Sequence, residues 1–188
     1  MKFYHNGITL EVPEGIYYPR EDSMLLAEFL ESMELKGKSC LEVGCGSGFL
    51  SILMAKSGAV VTAVDVSSQA VETAKKNADI NGINLHFAVS DLFSNIDSKF
   101  DLIVFNSPYL PKDEYSDITY SGGIEIVERF ISSASAHLKE GGKILLLISS
   151  LTGEKEVLDI FAKNGFKAKI IKRKRIFFEE LMIVEARN

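Results

Sequence analysis

The stretch "SCLEVGCGSGFLSILMAKSGAVVTAVDV", residues 39–66, decides the fold. An apolar run at 39–43 stops at Gly44, Gly46 and Gly48, an apolar segment long enough for a helix occupies 49–57, and a β-branched run fills 59–66. Strand, glycine turn, helix and strand make a βαβ unit, whose two strands lie parallel. The glycines let the backbone turn tightly and approach a ligand, and the helix behind them points its first amides at whatever is bound.

The alternation continues outward. Runs at 84–89, 100–105 and 143–149 read as buried strands, and 67–80, 123–139 and 153–163 as helices. Upstream, Asn6-Gly7 between "KFYH" and "ITLEV" predicts a hairpin. From Arg20, the spacing of Met24, Leu25, Leu26, Phe29 and Leu30 predicts a helix capped by Asp22 or Ser23. Downstream, only Glu179-Glu180 separates "FKAKIIKRKRIFF" from "LMIVEA", which leaves no room for a helical crossover and makes that pair antiparallel. The expectation is an α/β, doubly wound, Rossmann-like sheet of seven strands, six parallel and one reversed. It forms one domain over 1–188, with 1–19 as a hairpin extension and 20–188 as the core.

Composition narrows the function. With 188 residues, 46% hydrophobic and 25% charged, the chain has the make-up of a globular protein, and its net charge of −5 offers a phosphate backbone no overall attraction. Cys40 and Cys45 are too few for a disulfide framework or a four-ligand metal site, so no metal is expected and a reducing compartment suits the chain. The first residues show no secretory pattern and no apolar run reaches the ~18 residues of a membrane span. Cytoplasmic location is the expectation.

Three acids lie at the carboxyl ends of predicted parallel strands, the edge where open α/β sheets bind ligands. Glu42, two residues before the first glycine, would repel a pyrophosphate but suits an ammonium group, and the GxGxG spacing is not the GxGxxG of dinucleotide binders. Asp65 ends the second strand where a carboxylate accepts from ribose hydroxyls, and Ser90-Asp91-Leu92 ends the third, where Asp91 can accept from an exocyclic amine and Leu92 cover an adenine face. Singly, Asp65 and Asp91 also read as caps of the next helix or turn. Together with Gly44, Cys45, Gly46 and Gly48 they suggest S-adenosylmethionine, an adenosine with a charged amino-acid tail and no phosphate.

The fourth strand runs into Asn106-Ser107-Pro108-Tyr109 on the same edge. An amide or exocyclic amine is a poor nucleophile because its lone pair is delocalised, so alignment and hydrogen-bond acceptance are what a site can supply. The Asn106 side-chain oxygen and the Ser107 carbonyl each accept one N–H of a planar –NH2, Pro108 fixes the turn, and Tyr109 stacks on the acceptor. A plain β-turn is the bland alternative. His5, His86 and His137 lie away from this edge, and no general base is evident.

"LEVGCGSG", Asp65, "SDLF" and "NSPY" together resemble the class I S-adenosylmethionine-dependent methyltransferases of amino groups. "YYPREDSMLLAEFL" at 17–30, "SGGIEIVERF" at 121–130 and "RIFFEELMIVEA" at 175–186 are similar to the HemK-like protein-glutamine N5-methyltransferases of the short archaeal and eukaryotic type. The resemblance implies contacts to the methyl donor from Ser23, Glu42, Gly44, Asp65, Asp91, Leu92 and Asn106. It also implies, as acceptor held by Asn106 to Tyr109, the GGQ-loop glutamine of a class I release factor. Ser107 stands where the family usually has proline, which leaves the loop less pre-organised. A small zinc-binding activator pairing with a sheet edge is implied as well, and "INLHFAVSD", with Leu85, Phe87 and Val89 on one face, is a candidate edge. The same face also suits packing under a helix.

Two other functions stay open at this point. Adenine N6 of RNA or DNA is also a planar –NH2, and 163–175 carries seven basic residues with no acid, although alternate strand residues face opposite ways. A non-catalytic nucleoside-binding module is the other. The segment 112–122 follows the active-site turn as a candidate cover.

Overall fold

Residues 1–108 and 123–188 are described by the computed structural model, so Tyr109 and the candidate cover at 112–122 lie outside the described residues. The chain begins with strands β1 (Lys2–His5) and β2 (Ile8–Glu11), followed by helix α1 (Glu21–Glu31). Then come β3 (Ser39–Val43), α2 (Phe49–Lys56), β4 (Val60–Asp65), α3 (Ser68–Ile80), β5 (His86–Val89) and β6 (Phe100–Asn106). The second half holds α4 (Gly123–Ala134), β7 (Leu138–Ser149), α5 (Glu154–Lys163), β8 (Lys167–Arg175) and β9 (Glu180–Arg187).

The large sheet has the order β5-β4-β3-β6-β7-β9-β8. Neighbours from β5 through β7 pair parallel, whereas β9 runs antiparallel to both β7 and β8. Six strands therefore share one direction and β9 is reversed, as expected. The order departs in opposite directions from β3 and β6, which are adjacent, and the crevice at such a switch point is where ligands bind.

Successive side chains of each central strand enter different cores. Leu102 and Val104 of β6 pack with α1, α2 and the N-terminal hairpin, while Ile103 and Phe105 pack with α4 and α5. Burial on both faces explains why these strands read as continuous apolar runs. Asn6 and Gly7 both have positive φ, as a two-residue hairpin turn of the favoured hand requires. The hairpin is tied to α3 by two asparagines: Asn77 and Asn81 each exchange hydrogen bonds with the backbone of β2, at Glu11 and Thr9 respectively.

Four boundaries differ from expectation, the last being that β8 stops at Arg175 and β9 starts at Glu180, so the break falls at 176–179 and not at Glu179-Glu180. The helix predicted over 123–139 ends at Ala134, and after a 3₁₀ turn over Ser135–His137 the strand starts at Leu138 rather than at 143. Leu138 pairs with Phe100 and Lys143 with Leu102, so 139–142 bulge between them. Gly142 permits this: a Cβ there would sit 2.9 Å from the Phe100 and Lys139 carbonyl oxygens. The start of α1 also moves, with Arg20 at the cap position and Asp22 and Ser23 inside the first turn, because both side chains are engaged in the site.

Candidate functional site

A cleft of about 400 Å³ opens at the carboxyl ends of β3, β4, β5 and β6. It is lined by every proposed donor-binding residue, Ser23, Glu42, Gly44, Cys45, Gly46, Asp65, Asp91, Leu92 and Asn106, with the exception of Gly48, and by Ser107 and Pro108.

The loop after β3 turns through three left-handed glycines, Gly44, Gly46 and Gly48. Gly48 has a packing role that the spacing did not announce, since a Cβ on it would meet the Ala74 Cβ of α3 at 2.9 Å. Asn77, one turn further along α3 and fully buried, donates to the Ser47 carbonyl at 2.9 Å and so ties the loop to the N-terminal hairpin as well. Asp65 accepts from the Gly46 N–H at 3.0 Å and from the Ser67 N–H at 2.9 Å. The side-chain cap of α3 is Ser67, which accepts from the Ala70 N–H. Asp65 therefore braces the glycine loop instead of capping the helix.

Glu42 is buried and accepts from the Ser51 hydroxyl. Burial pushes its carboxyl up to about 8, against the opposing pull of Ser51. A cationic ligand beside it would restore the charged form. Burial likewise pushes up both thiols, Cys40 to about 12 and Cys45 well above the usual range, so neither is an available nucleophile.

The turn after β5 is held in an unusual shape. Leu92 has φ +52°, a left-handed conformation costly for a side chain with a Cβ. The Ser90 hydroxyl donates to the Leu92 carbonyl and accepts from the Asn95 N–H, while Ser94 accepts from the Asp91 N–H. These bonds hold the strained residue so that Leu92 lines the cleft. The Asp91 carboxylate is half-exposed and paired with Arg129 of α4 at 2.7 Å. An exposed pair of this kind is worth little, so it competes weakly with a ligand.

Asn106 ends β6 and sits in a relay that sequence reasoning did not see. Its Nδ2 faces the Ser23 Oγ at 3.4 Å, Ser23 donates to Asp22 Oδ1 at 3.1 Å, and the Tyr17 hydroxyl donates to Asp22 Oδ2 at 2.5 Å. The relay turns the amide so that Oδ1 is buried with no hydrogen-bond partner among the described residues. Buried acceptors are seldom left unpaired, and one at a ligand edge marks a place for a donor. Ser107 is 2% exposed and its hydroxyl donates to the Leu147 carbonyl of β7 at 2.7 Å. The side chain that replaces proline thus ties the turn to the neighbouring strand, a restraint its chemistry permits and the sequence argument did not anticipate.

The 15–22 strap also lines the cleft, as do Ile126, Ile176, Glu179 and Leu181. The run "YYPRED", two aromatics and a proline just before a helix, was the available signal for the strap. The C-terminal residues reach the cleft only because β9 inserts beside β7, which no local pattern reports.

Comparison with known proteins gives the family. Residues 21–176 match the methyltransferase small domain family. A candidate protein N5-glutamine methyltransferase of Methanocaldococcus jannaschii is 44% identical over 190 residues, covering 96% of this chain and 95% of that one. The release factor glutamine methyltransferase of Streptococcus pneumoniae is 30% identical over 195 residues, covering 95% of this chain and 70% of its own. Among solved structures, the E. cuniculi Mtq2-Trm112 complex responsible for methylation of the termination factor eRF1 superposes with a TM-score of 0.75 at 25% identity, over 91% of this chain and 97% of that one. The chain belongs to the methyltransferase small domain family, and the M. jannaschii and S. pneumoniae relatives that match it across nearly its whole length carry the names of glutamine methyltransferases.

Proposed function

We propose that this protein transfers a methyl group from S-adenosylmethionine to the side-chain amide of a glutamine, the GGQ-loop glutamine of a class I release factor. The observation that carries this reading is the buried Asn106 Oδ1 at the end of β6, which has no hydrogen-bond partner among the described residues. An acceptor in that position wants a planar –NH2.

The cleft suits the donor. Glu42 would take its ammonium, the glycine loop would pass under its amino-acid tail, Asp65 would accept from ribose hydroxyls, and Asp91 and Leu92 would hold the adenine. S-adenosylmethionine supplies an electrophilic methyl on a sulfonium that leaves as a neutral thioether. The chain's part is alignment: Asn106 Oδ1 accepts one N–H of the amide and the Ser107 carbonyl the other, and the Ser107–Leu147 bond keeps that carbonyl in place. As the nitrogen attacks, it gains positive charge, both bonds strengthen, and the nitrogen's surplus proton leaves to solvent. Tyr109 would stack on the amide plane.

Charge favours a protein acceptor over a nucleic acid. Among the described residues the cleft is lined by the acids Glu21, Asp22, Glu42, Asp65, Asp91 and Glu179 and by one base, Arg20. The basic run lies on β8, an outer strand, where lysines discourage edge-to-edge pairing. Lys172 there pairs with Glu28, and Arg173 with Glu154 and Glu180.

The opposite outer strand, β5, suggests the seat of a small activator subunit, and the Mtq2-Trm112 likeness supports one. Leu85 and Phe87 pack partly under the core, the bland alternative raised above. Val60 and Val66 at the two ends of β4 and Val89 at the end of β5 are exposed apolar side chains.

The deciding experiment is transfer of labelled methyl to a purified release factor, beside its glutamine-to-alanine variant and total RNA, with and without an activator. Label on the wild-type factor alone is the expected result. Label on RNA would favour adenine methylation, and donor binding with no turnover on any acceptor would favour a binding module.

A further inference from the structure

The β8–β9 hairpin ends in an unusual tip. The Ile176 N–H donates to the Glu179 carbonyl at 2.9 Å, so Phe177 and Phe178 are the two central residues of the turn. Two-residue hairpin turns favour Asn-Gly or Asp-Gly, because central residues with positive φ match the strand twist. Neither phenylalanine has positive φ. They are 98% and 95% exposed, with ring centroids 6.2 Å apart. Among the described residues the two rings are exposed at a turn that would prefer other residues, and a broken local rule of this kind points to function.

Position says which function. Ile176 and Glu179, the residues on either side of the pair, line the cleft, so the rings stand at its rim. We infer that Phe177 and Phe178 form the docking point for an apolar segment of the protein substrate, close in sequence to the methylated glutamine. This rests on the reading of the cleft as a protein-methylation site. Toward the cleft the rings adjoin Glu179 and a lining rich in carboxylates, while on the strand side Arg173 is paired with Glu154 and Glu180 and Lys174 and Arg175 stand next to the tip, so apolar side chains reach the rings on the cleft side. On the cleft side a phosphate would meet carboxylates, whereas an apolar side chain of a polypeptide whose glutamine enters the cleft meets two aromatic faces.

The test replaces the tip by the turn it would otherwise favour, Phe177→Asn with Phe178→Gly, so that folding is aided and not impaired. Methyl transfer to a class I release factor should show KM raised about tenfold or more, with kcat and the dissociation constant for S-adenosylmethionine held. The single variants Phe177→Ser and Phe178→Ser answer the same question if the double variant does not fold. An unchanged KM in a variant, while the wild type methylates the factor, overturns the inference alone. A wild-type enzyme that labels no release factor defeats the underlying reading and this inference with it. Loss of binding to a labelled RNA oligonucleotide in the variant would assign the tip to nucleic acid, and a wild-type dimer that the variant dissolves would assign it to self-association. Both results overturn the inference.

Discussion

Replacing Asn106 by alanine should separate stability from activity. The change removes a hydrogen bond to Ser23 that is long, at 3.4 Å, and so worth no more than about 1 kcal/mol. It also removes a buried carbonyl oxygen that has no partner among the described residues, a group whose desolvation costs about 1–3 kcal/mol. Those terms oppose each other, and the small loss of packing tips the sum back toward zero. The donor-free variant should therefore unfold within about 1 kcal/mol of the wild type, a shift of ~2–4 °C for a chain of this length. Activity should behave otherwise. A preorganised group that acts as charge develops is worth ~10²–10³ in kcat. Urea or thermal unfolding of the donor-free protein, beside single-turnover methyl transfer at saturating donor and acceptor, reads both numbers. A loss of stability above ~2 kcal/mol would show that Oδ1 has a structural partner. A kcat within about tenfold of wild type would show that the side chain does not hold the acceptor.

Other consequences follow from the same geometry. The Glu42 carboxyl is raised by burial to about 8, so in the donor-free protein it holds its proton where the unfolded chain would have lost it; stability should fall as pH rises from the ordinary carboxylate range toward 8. An ammonium ligand binds the ionised form, so donor affinity should tighten between pH 6 and 8, at most about tenfold per pH unit, with proton release seen by calorimetry in buffers of different ionisation heat. Glu42→Gln should abolish that release, and its persistence would assign the proton elsewhere. Ser107→Ala cuts the tie to Leu147 and should lower kcat by about tenfold while donor affinity holds, with Ser107→Thr recovering part of the loss; a changed donor affinity with unchanged kcat would refute the positioning role. Asn77→Ala leaves the Glu11 backbone and the Ser47 carbonyl unpaired, and should cost about 2–4 kcal/mol in urea unfolding and weaken donor binding together. Weakened stability with an untouched donor affinity would mean that Asn77 serves the hairpin alone.

Much of this protein was legible in the chain because the signals are local. Glycines at 44, 46 and 48, apolar runs that stop at acids, and an Asn-Gly between two short strands each act through backbone sterics over a few residues, and the βαβ rule converts them into a parallel sheet. The short gap between the last two apolar runs sufficed to reverse the last strand, although the turn itself falls at Phe177-Phe178 and Glu180 already belongs to β9. A local signal also has a local limit: the apolar spacing at 123–139 continued past the true helix end, because the pairing of Leu138 with Phe100 is a contact with another strand.

What only the tertiary structure decided is how distant side chains constrain one another. Ser23 and Asn106 are 83 positions apart, and Ser107 and Leu147 are 40 apart. Asn106 can be recognised in the sequence as a candidate acceptor, but the orientation of its amide is set by Ser23, Asp22 and Tyr17 across the cleft. Glu42 can be recognised as an acid beside a glycine loop, but its raised pKa comes from burial, which depends on every element packed around it. Even the basic run at 163–175 changed meaning once β8 proved to be an outer strand. Residue type and spacing sufficed to name the chemistry. Hydrogen-bond direction, burial and edge position depend on long-range packing, and these decide how the site is held.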